Sequence, residues 1–192
     1  MPYYERHLPH WNPEDAGLFI TWRLHGTLPR EINFVAATAG RAFVAIDRQL
    51  DRAAVGPRWL ERPEVAVRVA QSLQHGAATL HLYDLRAWVI MCNHVHILID
   101  PRADMARITK SIKNYSARQA NAVLERSGPF WQTESYDRWV RSGEAKERIV
   151  RYIESNPVWA GLVDRPEDWR WSSAWAGQEA YPTKTTEQPC ER

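Results

Sequence analysis

The sequence predicts an α+β fold: a mostly antiparallel sheet with helices packed over one face. Three observations carry that expectation. Gly17–Gly26 (GLFITWRLHG) alternates as a half-buried strand does, with Phe19, Thr21 and Arg23 on one side and Ile20, Trp22 and Leu24 on the other. Leu80–Ile90 and His94–Asp100 are two further strand-length runs separated only by Met91, Cys92 and Asn93, as in a hairpin. Between and after them lie stretches of helical period, so the order is strand, helices, strand, strand, helix and a second helical arm.

In chain order, residues 1–16 read as an extended, proline-punctuated lead-in before the first strand. Pro29 introduces a helix over about Asn33–Arg52, with Phe34, Ala37, Phe43, Val44 and Ile46 as its apolar positions. Gly56-Pro57 breaks the chain. A second helix, about Glu64–Gln74, carries Val65, Val69 and Leu73 at helical spacing. The hairpin follows, its turn lacking glycine, and Pro101 ends the second strand. Asp104–Glu125 is a long helix with a seam at Met105, Ile108, Ile112, Tyr115 and Ala122. Phe130–Arg141 has no clean period. A last helix opens with Ser142 as N-cap and Glu144 in its first turn, and runs to Asn156, where Pro157 stops it. Residues 1–176 make one domain; 177–192 are polar, aperiodic and expected to be a disordered tail.

The bulk numbers bound the function only loosely. No apolar stretch is long enough to cross a bilayer, and the N-terminus is not a signal peptide. Cys92 and Cys190 are the only cysteines, too few for a disulfide framework, so a reducing cytoplasm is the default. A net charge of +2 advertises no nucleic-acid partner by itself. Ten tryptophans are many. Trp131, Trp139, Trp169 and Trp171 are either core or stacking surfaces for unpaired bases.

The chemistry concentrates in Ala87–Pro101 (AWVIMCNHVHILIDP), the longest apolar run. His94 and His96 are two apart, so on a strand they share one face about 7 Å apart along it. Two neutral imidazoles can then converge on one cation; the plain alternative is a pair of histidines packed on a sheet face. Polar rings inside an apolar strand need a compensating partner. In RYIESNP, Tyr152 and Asn156 share a helix face. If that face packs near the histidines, two imidazoles and the Asn156 amide oxygen suit Mg²⁺ or Mn²⁺ with positions left for phosphate oxygens. A divalent ion and nearby cations would make the Tyr152 oxyanion accessible. Tyr115 and Tyr136 are the other candidate nucleophiles. Arg107, Lys110, Lys113 and Arg118, with Arg138, Arg141 and Arg151, either line a DNA track or are ordinary solvated charges.

NHVHILID resembles the histidine–hydrophobic–histidine motif of the HUH nucleases. GPFWQTESYDRWVR, RYIESNPVWAGLV and DWRWSSA, in this order, resemble the REP-associated tyrosine transposases, relatives of the single-tyrosine transposases of small bacterial insertion sequences. ERHLPHW, TWRLHG and LDRAAVGPRWL extend the likeness over about Tyr4–Ala174. The resemblance implies a ferredoxin-like HUH sheet with His94 and His96 as metal ligands and Asn156 as a polar third ligand. It further implies that Tyr152 attacks single-stranded DNA to give a 5′-phosphotyrosine and a free 3′-hydroxyl. The implied partner is hairpin DNA of palindromic repeats, met by a monomer in the bacterial cytoplasm at the nucleoid. Cys92 replaces an expected proline before Asn93-His94, which would loosen the hairpin turn, and Trp159 stands where a basic residue is common. The competing functions are a non-catalytic binder of structured single-stranded nucleic acid, as a domesticated transposase would be, and a metal hydrolase that uses water.

Overall fold

The computed structural model describes residues 16–27, 39–52 and 55–176. Over them run β1 (Gly17–Arg23), α1 (Ala39–Asp51), α2 (Pro63–Ala78), β2 (Tyr83–Ile90), β3 (His94–Pro101), α3 (Met105–Val123), β4 (Tyr136–Val140) and α4 (Gly143–Trp159). The strands form one antiparallel sheet in the order β2-β3-β1-β4, the ferredoxin-like arrangement expected. The expected lead-in, the start of the helix from Asn33 and the tail at 177–192 lie outside the described residues.

Strand alternation divides the interior into two layers. Leu18, Ile20 and Trp22 of β1 and Val95, Ile97 and Ile99 of β3 face α2 and α3, meeting Val65, Val69, Leu73, Ile108 and Ile112. Phe19, Val89 and Leu98 face the other way, where Ile153 of α4 completes a second cluster. Helices therefore cover both faces, not one. The apolar run of β3 is buried on both sides and leaves no face for water.

Two local expectations change. Phe130–Arg141 is not irregular throughout: Tyr136–Val140 pairs with β1 as an edge strand. Its solvent-tolerant position lets Asp137 and Arg138 break the apolar alternation that sequence reading relies on. Helix α4 continues through Pro157 to Trp159. A proline in the last turn forfeits only one intrahelical bond, and the Ala160 N–H still reaches Asn156 O at 3.0 Å.

The hairpin turn is tight in spite of Cys92. Met91 N–H donates to His94 O at 2.9 Å, Leu60 N–H to Cys92 O at 3.2 Å and Leu24 N–H to Asn93 O at 2.8 Å. At the outer edge of β2, residues 171–173 add a short pairing: Ile90 N–H donates to Trp171 O and Ser173 N–H to Trp88 O. The WSSA motif thus covers an edge that would otherwise present unpaired backbone groups.

Candidate active site

β3 presents His94 and His96 on the α4 side of the sheet, both fully buried. Their ring centroids are 4.7 Å apart, closer than strand rise alone gives, because the rings lean together. Thr21 lies opposite His96 in the register, and its hydroxyl meets His96 Nδ1 at 2.6 Å. Phe19 stacks on the same imidazole with centroids 5.8 Å apart.

Asn93 assigns the roles of the His94 nitrogens. Its Nδ2 donates to Leu50 O at 2.9 Å, which turns Oδ1 toward His94 Nδ1 at 2.7 Å. An amide oxygen only accepts, so Nδ1 carries the proton and donates. Burial, reinforced by His96, pushes the His94 pKa down to about 3, so the ring is neutral and Nε2 is a bare lone pair.

That lone pair points at carboxylates. His94 Nε2 lies 3.7 Å from Asp47 Oδ1 and 3.7 Å from Asp51 Oδ1, and His96 Nε2 lies 3.2 Å from Asp47 Oδ1. The donor atoms of Asp47, His94 and His96 all fall within 4.8 Å of one another. His94 Nε2 and Asp51 Oδ1 have no hydrogen-bond partner among the described residues. A cluster of inward-facing acceptors is what a cation resolves. Two imidazoles and a carboxylate suit a divalent ion of borderline or hard character, so the residues fit the metal that the HxH pattern implies.

Tyr152 of α4 donates its hydroxyl to Asp47 Oδ2, so one carboxylate touches both the nucleophile candidate and the histidine pair. The phenol ring lies 5.8 Å from that of His96 and packs edge-on to Phe19. Burial, then the Asp47 and Asp51 charges, push the Tyr152 pKa well above its ordinary range; a hydrogen bond from Asn156 acts the other way. Burial pushes the Asp47 carboxyl up, but His96, His94 and the Tyr152 hydroxyl outweigh it and hold the group well below the usual carboxylate range. Burial and the Asp47 charge push Asp51 up to about 7.

Asn156 is buried one turn beyond Tyr152, its Oδ1 without a hydrogen-bond partner among the described residues. Tyr115 is placed differently from the seam residue expected. It is exposed on α3, stacked on His75, on the side of the sheet away from the histidines, while Ile112 and Ser116 take the buried positions. Tyr136 sits on β4 opposite Thr21, edge-on to Phe19.

The basic residues do not form one track. Arg107, Lys110 and Arg118 are exposed on α3, while Arg138 and Arg151 are exposed on the side of β4 and α4, and Arg141 follows β4. Lys113 is committed to the fold: its ammonium donates to Gln132 O, Thr133 O and Ser135 Oγ at 2.6, 2.9 and 3.3 Å. Trp131, Trp139, Trp169 and Trp171 all pack on the core.

Sequence reading missed Asp47, Asp51, Thr21 and Asn93. The signal available was modest: two acids one turn apart on α1, and a threonine alternating with Phe19 toward the histidine side.

An antiparallel ferredoxin-like sheet thus brings an HxH pair, a carboxylate and a helix-borne tyrosine together in one cluster. The family model described as "Transposase IS200 like" matches residues 59–156, just over half of the chain. The chain belongs to the IS200-like transposase family. The matched stretch includes His94, His96, Tyr152 and Asn156 but not Asp47. Among solved structures, the chain is similar to a REP-associated tyrosine transposase bound to a REP hairpin: 19% identity, TM-score 0.55, covering 90% of this chain and 82% of that one. A protein from Deinococcus radiodurans R1 assigned as a transposase aligns at 19% identity and TM-score 0.41, covering 73% of this chain and 89% of its own. No curated protein matches the chain. Among the described residues, no helix is long and apolar enough to cross a membrane.

Proposed function

We propose that this chain is a metal-dependent single-stranded DNA endonuclease and strand transferase with Tyr152 as its nucleophile. One observation carries the reading: the Tyr152 hydroxyl is bonded to the carboxylate that faces both HxH imidazoles. Tyr152 Oη forms a bond to the phosphorus while the bond from phosphorus to the 3′-oxygen breaks. Asp47 Oδ2 holds the hydroxyl in place for attack; the phenol gives up its proton as the new bond forms and the leaving 3′-oxygen takes one up, so the step is proton-neutral overall. The product is a 5′-phosphotyrosine, which a second 3′-hydroxyl reverses, joining strands without an external energy source.

His94, His96 and Asp47 would hold Mg²⁺ or Mn²⁺, with Asn156 Oδ1 available as a further oxygen donor. Bound there, the ion would polarise the phosphate and lower the energy of its developing charge. Asn93 and Thr21 fix the two rings so that their Nε2 atoms face inward. Phe19 shields one side of the site from water.

Family membership supports DNA transposition as the setting. The hairpin bound by the similar solved protein supports palindromic, hairpin-forming single strands as the partner. The test mixes the protein with 5′- and 3′-labelled palindromic strands in Mn²⁺ and resolves products on denaturing gels. A slow band carrying the 3′-side fragment is expected, absent in Tyr152→Phe, in His94→Ala and after chelation. Tight hairpin binding with no adduct and no cleavage would instead support a non-catalytic binder; cleavage without an adduct would support water as the nucleophile.

A further inference from the structure

We propose that Trp159 is a stacking platform for a nucleobase adjoining the bond that Tyr152 attacks, and so positions the single strand. The inference rests on the reading of Tyr152 as the nucleophile of a DNA reaction. Tyr152, Asn156 and Trp159 follow at intervals of four and three, so they lie on one face of α4. The face grades from site to solvent: Tyr152 is half-buried and Asn156 buried, whereas Trp159 is 63% exposed, the most exposed large apolar side chain among the described residues.

Helical side chains lean toward the helix N-terminus, so the Trp159 ring folds back over the preceding turn. It meets the Tyr152 ring at a centroid distance of 5.5 Å and a tilt of 57°. A phosphate at the Tyr152 hydroxyl is joined to its base through a single sugar. The indole is therefore an aromatic surface within reach of that base.

Among the described residues, Trp159 belongs to neither core cluster. Trp131, Trp139, Trp169 and Trp171 serve the core, and Trp131 Nε1 even finds a partner in Ser116 Oγ at 2.9 Å. Trp159 instead leaves most of its apolar surface exposed beside the Tyr152 ring. Stacking on an indole suits any base, because every base has a π-face. It positions a strand without specifying its sequence. Where a cation at this place would hold a phosphate, Trp159 exchanges backbone attraction for base contact, which makes affinity depend on the bases being present and unpaired.

The test measures binding by fluorescence anisotropy in a Tyr152→Phe background, which cannot capture DNA covalently. The probes are a short oligothymidylate and an abasic deoxyribose-phosphate strand of equal length. Trp159→Ala should weaken oligothymidylate binding about tenfold, as loss of one stacked base does, and leave abasic-strand binding unchanged. Trp159→Phe should restore most of the difference. Equal loss on both strands would mean that the ring acts only by packing on Tyr152, and no loss on either would mean that no base is stacked; each overturns the proposal. Circular dichroism melts of the variants check that this exposed position leaves the fold intact. Adduct formation is assayed separately in protein with Tyr152 intact. A thymine-dependent loss without any adduct would remove the strand-transfer reading and keep the platform.

Discussion

At His94 the two ring nitrogens face different partners, and Asn93 decides which faces Asp47 and Asp51. Removing its side chain leaves the Leu50 carbonyl and the His94 Nδ1–H without partners in a buried place. Asn93→Ala should therefore cost about 1–3 kcal/mol of stability, measured by urea unfolding. Mn²⁺ affinity should fall about 10–100-fold by calorimetry, as losses of outer-shell partners do. Unchanged stability together with unchanged affinity would show that the ring needs no such support. Asp47 allows a sharper separation. At a Mn²⁺ concentration of about 100 times Kd, the protein should gain about 2.7 kcal/mol of stability. Asp47→Asn keeps the size of the side chain and an acceptor for Tyr152 but removes the anionic ligand, so most of that gain should vanish in thermal melts. A full metal-induced gain in Asp47→Asn would remove the carboxylate from the ligand set.

Elements decide how much of this a sequence reveals. The strand β3 and its histidines are legible because alternation is a local property: residues two apart share a face whatever surrounds them. Helix α4 is legible from its Ser142 cap, whose hydroxyl accepts from Ala145 N–H at 3.1 Å, and from the four-residue spacing of Tyr152 and Asn156. Asp47 and Asp51 are not legible in the same way. Two acids one turn apart on an amphipathic helix read as a solvated face, and only the docking of α1 through Leu50 O onto Asn93 turns them inward. WSSA is recognisable as a motif, yet its physical work is long-range. Ser173 Oγ donates to Glu154 Oε1 of α4 at 2.9 Å and also meets the Trp88 backbone of β2, while Trp169 Nε1 donates to Ile90 O at 3.1 Å. The motif thus fastens α4 to the sheet. Ser173→Ala should cost about 1–2 kcal/mol and slow adduct formation. Combined with Glu154→Gln, the loss should be less than additive in a double-mutant cycle. Strict additivity would mean that the two side chains do not support each other.

Across the whole molecule, the sheet separates two charged surfaces that the linear sequence runs together. The α3 cations Arg107, Lys110 and Arg118 lie on the α2–α3 side, whereas Arg138 faces with Phe19 toward the Tyr152 side and Arg151 is exposed on α4 one residue before Tyr152. Phosphate contacts release counterions, so each one adds to the steepness with which binding falls with salt, about 0.7 per contact in a log–log plot for single strands. A short single strand that spans only the attacked bond has no reason to cross the sheet edge. Arg138→Ala and Arg151→Ala should each lower the slope for such a strand by about 0.7, and the pair by about twice that. Lys110→Ala and Arg118→Ala should leave the slope as it is. Anisotropy titrations across a range of NaCl concentrations decide the matter. A slope lowered by the α3 substitutions and untouched by Arg138→Ala and Arg151→Ala would move the strand to the far face, and with it the reading of Tyr152 as the residue that meets the phosphate.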